Sequence, residues 1–433
     1  MAILQEEMIE ELHAKATKGR AATNGRATLG RTTLLRDVYR SLINSGRTYA
    51  AFRDEDRSTV ARLIDRSPVL DPMSGYGGLA RLCAELGIQS SGIEYNPAQY
   101  FWQLLSHPAR TDMHLRAIAT LLRQRRNWPR TRQRAVVADE FFPHDTRALV
   151  ERLFNLIQTT VAELPSSVAK PWEVTASLLL PFSGRLACTS PGDVSTHTKE
   201  GGTCVLLGWQ DDFSSYLDAL RSHLELIKER SKCINHEVIL GDARSVDLGN
   251  RRFRSMFTSP PYPNHRDFSS ILLPENTLLK VIGCSNGFDV PFVREGIIGS
   301  NFVKGAERHC PTSSVANRFM AEALTVRRNK RAEYDDEVYY MPYFRNYFYS
   351  LENAYHNIAK YLHASFEGYV VIVNNTHRGI VIPVSEIVQD IWQSLGFRTE
   401  VFHAMESSHM GAKNPRAKGL RARHTEYVVR IWR

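Results

Sequence analysis

The stretch Val69 to Pro97, VLDPMSGYGGLARLCAELGIQSSGIEYNP, constrains the fold more than any other part of the chain. A short apolar run enters a glycine-rich turn, the turn opens a helix, and a second strand follows, which is one βαβ unit. Parallel strands need such a crossover, and it is right-handed, so the unit commits the chain to a parallel sheet with helices packed on it. HEVIL, FRSMFT, GYVVIVNN, TEVFHAM and EYVVRIW supply further strand candidates, separated by helix candidates at Tyr343 to Leu362 and Val384 to Leu395. That alternation predicts an α/β fold with a Rossmann-like, doubly wound sheet. The last two strands leave no room for a crossover helix and should pair as an antiparallel C-terminal edge, with the basic connection AKNPRAKGLRARH as an exposed loop.

At 433 residues the chain exceeds the usual single-domain size. Roughly 140 residues separate the second strand from the third, and they look mostly helical, with an amphipathic stretch from Arg147 to Leu164 and a Gly, Ser and Thr-rich patch from Gly184 to Gly202. The expected organisation is a basic N-terminal helical segment over 1–60, a core formed by 61–97 and 236–433, and a helical insertion over 98–235. With 43% hydrophobic and 23% charged residues the composition is that of a globular chain. The longest apolar runs, such as Ser177 to Phe182 and Tyr369 to Val373, are far too short to span a bilayer, and the acidic start MAILQEEMIEELHAK is unlike a secretory leader. A cytoplasmic, prokaryotic protein is expected. The six cysteines form no C-x-x-C pair and the fifteen histidines no H-E-x-x-H, so neither a disulfide framework nor a metal site is expected.

Chemistry gathers at strand ends. Asp71, Pro72, Met73, Ser74, Gly75, Tyr76 and Gly77 occupy the place where a Rossmann-like sheet binds a nucleoside-containing cofactor, because glycine lets a ligand approach the backbone there. The pattern departs from G-x-G-x-x-G, which disfavours a dinucleotide. Glu94, with Tyr95 beside it, ends the second strand about twenty residues on, where an acidic side chain can hold ribose hydroxyls. Gly241, Asp242 and Ala243 repeat the arrangement after HEVIL, and Asp242 would accept from an adenine amino group. After the fourth strand comes Thr258-Ser259-Pro260-Pro261-Tyr262. Consecutive prolines remove backbone donors and hold the preceding residues extended, so this loop presents acceptors beside an aromatic face. Methyl transfer to an exocyclic base amine needs that pairing: Ser259 and the Pro260 carbonyl would take the amine hydrogens, and Tyr262 would stack on the extruded base.

These motifs resemble the S-adenosylmethionine-dependent DNA amino-methyltransferases, in particular the cytosine-N4 branch that carries Ser-Pro-Pro-Tyr; the adenine-N6 enzymes usually have Asp or Asn where Ser259 stands. DPMSGYGG resembles the family's cofactor loop, with Met73 and Tyr76 where phenylalanine and serine are frequent. GIEYNP resembles its acidic second strand, GDA its third, and TSPPY its catalytic loop. The resemblance covers Val69 to Pro97 and about Glu237 to Arg433, and it implies a methyltransferase sheet. It also implies S-adenosylmethionine contacts from Asp71, Pro72, Ser74, Gly75, Gly77, Glu94, Tyr95, Asp242 and Ala243, and base contacts from Ser259, Pro260, Pro261 and Tyr262. The large insertion does not match a standard ordering of core and target-recognition region.

Lysine and arginine outnumber aspartate and glutamate by 55 to 46, a net charge of +9, which favours a polyanionic partner. Arg123, Arg125, Arg126 and Arg130 belong to an arginine-rich stretch from Arg110 to Arg134 whose one carboxylate is Asp112, a candidate phosphate-contacting surface. Asn264, His265 and Arg266 follow the catalytic loop and could clamp phosphate or the flipped nucleotide. The segment Leu272 to Asp335 is a second candidate for reading DNA sequence. The expected function is site-specific methylation of cytosine N4 in double-stranded DNA, as the modifying half of a restriction or other defence system with its cognate proteins as further partners. An adenine-N6 or RNA base amine fits the same loop chemistry, and a non-catalytic nucleic-acid-binding subunit is the alternative of another class.

Overall fold

The computed structural model describes residues 60–64, 68–129, 134–136, 144–164, 170–182, 203–205, 209–233, 235–263, 272–282, 296–300, 310–325, 340–377, 380–407 and 424–433. Residues 1–59 of the expected N-terminal segment, the Gly, Ser and Thr-rich patch 184–202 and the basic connection up to residue 423 lie outside them.

Seven strands form the main sheet: β1 (Val69–Asp71), β2 (Ser90–Glu94), β3 (His236–Leu240), β4 (Phe253–Thr258), β5 (Leu362–Asn374), β6 (Arg398–Ser407) and β7 (His424–Trp432), in the spatial order β6-β7-β5-β4-β1-β2-β3. β3, β2, β1, β4 and β5 are parallel, and β7 runs antiparallel to both β5 and β6. The expected closing hairpin is present, with one detail that the sequence did not show. The final strand inserts between β5 and β6, which leaves β6 as the outermost strand.

Side chains alternate across the strands, so one sheet feeds two cores. Val69, Phe257 and Tyr369 pack with Leu79, Leu82 and Cys83 of α1 (Gly78–Leu86). Their neighbours Leu70, Met256 and Val370 face the opposite core, filled by Phe344, Tyr347, Phe348 and Leu351 of α9 (Met341–Ala359) and Ile387, Val388 and Trp392 of α10 (Val384–Ser394). Helices on both faces make the fold a doubly wound, Rossmann-like sheet with a C-terminal antiparallel hairpin.

The segment between β2 and β3 is mostly helical. It holds α2 (Pro97–Leu105), α3 (Thr111–Arg123), α4 (His144–Ala162), α5 (Pro171–Leu179) and α6 (Trp209–Arg230), with a two-stranded ladder of Arg134–Val136 and Thr203–Val205. These helices build a third core from residues such as Phe101, Leu121, Leu153, Leu178 and Phe213, joined by Leu278 and Leu279 of α7 (Leu273–Val281) from beyond β4. α8 (Ser314–Thr325) lies against α10, where the Asp390 carboxylate accepts from the hydroxyls of Ser313 and Ser314 at 2.7 and 3.3 Å. Among the described residues no helix is long and apolar enough to cross a membrane.

Candidate active site

In-register pairing brings the carboxyl ends of β3, β2, β1 and β4 to one edge: Asp71 lies opposite Gly92, and Glu94 opposite Leu240. The strand order reverses between β1 and β4, the switch point at which doubly wound sheets bind ligands. Asp71 sits there. Its Oδ1 accepts from the Thr258 hydroxyl at 2.9 Å and from the Met73 amide at 3.3 Å, so the glycine loop and the TSPPY loop share a hydrogen bond.

Glu94 organises the next loop. Its Oε2 accepts from the Gly75 amide and its Oε1 from the Asn96 amide, both at 2.7 Å. Burial pushes the Asp71 carboxyl up to about 7 and the Glu94 carboxyl up to about 8, and for Glu94 the neighbouring Asp71 charge adds to the rise. No described lysine or arginine forms an ion pair with either carboxylate. Gly77 turns the chain into α1 with φ +72°, and a Cβ there would stand 2.9 Å from the Gln103 side chain, so only glycine fits. Pro72 and Ser74 are buried. The Ser74 hydroxyl donates to the Ile93 carbonyl at 3.0 Å and accepts from Gln103 Nε2 at 2.8 Å, which directs it into the loop's own packing.

After β3, the Asp242 carboxylate is gripped by Arg244 through Nε and Nη2, and Arg244 Nη2 also donates to the Gly296 carbonyl at 2.7 Å. An adenine amino group would therefore share an already engaged carboxylate. Gly296 lies against the Tyr95 side chain, and a Cβ on it would clash with the Tyr95 hydroxyl. The Ala243 carbonyl accepts from Asn357 Nδ2 of α9 at 3.1 Å.

In the TSPPY loop Ser259 is exposed, Pro260 is buried, and Pro261 and Tyr262 are half-buried. The Ser259 and Tyr262 hydroxyls are 2.9 Å apart, and burial pushes the Tyr262 phenol up to about 12, so it is neutral at physiological pH. Asn264, His265, Arg266 and Arg130 lie outside the described residues. Arg123, Arg125 and Arg126 are exposed on the insertion, away from these loops in sequence, where Arg123 donates to Thr120 and Arg125 pairs with Asp211, both within the insertion. Gln103, Arg244, Tyr347, Asn357 and Asn375 are parts of the site that motif reading missed. For Gln103, Tyr347 and Asn357 the available signal was a polar group on an otherwise apolar helix face.

The residues present fit S-adenosylmethionine. The buried Glu94 and the half-buried Asp71, neither ion-paired to a lysine or arginine among the described residues, suit a ligand bearing a sulfonium, an ammonium and a ribose diol, and the Glu94 oxygens are acceptors for hydroxyl donors. Among the described residues no group of three His, Cys, Asp or Glu side chains is placed to hold a metal ion.

No family model matches the sequence, and no curated protein matches it. Among solved structures, two of the rRNA methyltransferase AviRa from Streptomyces viridochromogenes are similar, with TM-scores of 0.31 and 0.29 at 11% identity, covering 94% of this chain and 95% of that one.

Proposed function

We propose that this chain is an S-adenosylmethionine-dependent methyltransferase acting on the exocyclic N4 amine of a cytosine extruded from double-stranded DNA. The observation that carries the reading is the hydrogen bond between Thr258 and Asp71, which fastens an acceptor-rich Ser-Pro-Pro-Tyr loop to a carboxylate-bearing glycine loop at the switch point. When bound, S-adenosylmethionine supplies an electrophilic methyl on a sulfonium whose leaving group is a neutral thioether. The protein then has to orient a poor nucleophile. Cytosine N4 delocalises its lone pair into the ring; N–H bonds accepted by Ser259 Oγ and the Pro260 carbonyl favour localising it, and the Tyr262 ring holds the base in line. The methylated aminium is acidic enough to release its proton to water, so no dedicated base is required. A place in a restriction or other defence system is part of the same proposal.

The test is incubation of the purified protein with mixed-sequence duplex DNA and isotopically labelled S-adenosylmethionine, followed by nuclease digestion and mass spectrometry of the nucleosides. Labelled N4-methylcytosine is the expected product. Labelled N6-methyladenine would overturn the choice of base, and label appearing only on RNA would overturn the choice of polymer. Absence of label on duplex DNA, single-stranded DNA and RNA alike would favour a non-catalytic nucleic-acid-binding role.

A further inference from the structure

The loop Ser259-Pro260-Pro261-Tyr262-Pro263 cannot fix itself. Its three prolines lack amide donors, and Ser259, Pro260 and Tyr262 each precede a proline and are held extended. Its carbonyls are instead taken by donors from elsewhere. The Tyr347 hydroxyl of α9 donates to the Pro261 carbonyl at 2.7 Å, and Asn375 Nδ2, just past β5, donates to the Pro263 carbonyl at 2.6 Å. Both donors are buried, Tyr347 at 1% exposure and Asn375 at 5%, so neither bond competes with water. Gly299 packs beside both Pro261 and the Tyr347 ring, where a Cβ on it would stand 3.4 Å from the Pro261 Cβ and 3.8 Å from the ring.

We infer that Tyr347 and Asn375 are positioning residues for the methyl-transfer loop: by fastening the carbonyls of Pro261 and Pro263 to the core they leave Ser259 and the Pro260 carbonyl to the substrate amine. The inference deepens the methyl-transfer reading and rests on it. The same helix reaches the cofactor-side loop, because Ser350 and Asn357 share the Tyr347 face; Asn357 holds the Ala243 carbonyl, and Ser350 accepts from Arg244 at 3.3 Å. α9 thus sets the spacing between the two reacting partners.

The test compares the full-length wild type with Tyr347→Phe, which removes one hydroxyl and keeps the ring, and with Asn375→Ala. Amide hydrogen exchange at Tyr262 should accelerate at least tenfold in either variant, while peptides spanning Val69 to Asn96 keep wild-type rates. Methyl transfer should lose at least tenfold in kcat, with the dissociation constant for S-adenosylmethionine within twofold of wild type. Unchanged exchange at Tyr262, unchanged kcat, or a loss of cofactor affinity equal to the loss of kcat would each overturn the inference. Should Tyr347→Phe fail to fold, Asn375→Ala decides alone. A wild type that transfers no methyl group refutes the methyl-transfer reading, and hydrogen exchange then still decides whether these two side chains hold the loop.

Discussion

The loops after β1 and β2 and the loop after β4 lie side by side at one edge of the sheet, yet they are held by opposite means. On the cofactor side, carboxylates of Asp71 and Glu94 accept from backbone amides of Met73, Gly75 and Asn96. On the other side, backbone carbonyls of Pro261 and Pro263 accept from the side chains of Tyr347 and Asn375. The first arrangement gathers two carboxyl groups that burial keeps protonated until a cationic ligand favours their ionised forms. The second leaves a neutral surface of acceptors beside an aromatic ring, suited to a flat base whose amine donates. The Thr258 to Asp71 bond is where the two meet.

The largest effect expected from breaking this division is that of Glu94→Ala. It strands the amides of Gly75 and Asn96 and removes the acceptor for the ligand hydroxyls; each stranded buried donor costs about 1–3 kcal/mol. Isothermal titration should show S-adenosylmethionine affinity falling by at least a hundredfold. Tyr262→Ala should leave that affinity near wild type while kcat/KM drops roughly ten- to hundredfold, since stacking on a base is worth about 1–3 kcal/mol. If both variants lost cofactor binding alike, the two sides of the site would not be separable.

A pH titration sharpens the same contrast. The folded protein holds the Asp71 and Glu94 protons up to about 7 and 8, whereas unfolded carboxyls release theirs near their usual values of about 4. Between about pH 4 and pH 8 the folded state therefore binds more protons, and the contribution of these groups to stability falls as pH rises. A cationic ligand favours the ionised pair, so cofactor affinity should rise with pH over the upper part of that window. Thermal unfolding at pH 6.5 and 8.5 checks both signs: S-adenosylmethionine should raise the melting temperature more at the higher pH, and more than S-adenosylhomocysteine, which lacks the sulfonium charge, does.

Where sequence and site agree, the reason is local. β1, β2, β3 and β4 are short strands, and the motif at the carboxyl end of each is fixed there by chain connectivity, so Asp71, Glu94, Asp242 and Ser259 could be placed at one edge without knowing the sheet order. What was not legible depends on distant partners. Ser74 reads as a ligand contact until Ile93 and Gln103 are seen to occupy its hydroxyl. Asp242 reads as a free acceptor until Arg244 closes on it. Tyr347 and Asn375 carry no motif of their own, and their use appears only when α9 and the end of β5 come to lie beneath a loop roughly a hundred residues earlier in the chain. β7 slots between β5 and β6 through long-range pairing, which adjacency in sequence does not predict.

The smallest expected effects belong to the insertion, and they separate arginines that the sequence groups together. Arg110 donates to Glu173 at 2.7 Å with both side chains mostly buried, 16% and 13% exposed, between α3 and α5. Arg126 is exposed and so is Arg123, which donates to the neighbouring Thr120. Arg110→Ala should lower the melting temperature by a few degrees, because it leaves the mostly buried Glu173 without its cation, a loss of about 1–3 kcal/mol. Arg123→Ala and Arg126→Ala should leave the melting temperature unchanged and, if this surface contacts phosphates, reduce the slope of log affinity for duplex DNA against log salt by about one each. A salt slope that stays at its wild-type value in both variants removes this face from the nucleic-acid interface. It would then transfer that role to the second candidate, the segment from Leu272 to Asp335, where the same charge-removal measurement on Lys280 and Arg318 would follow.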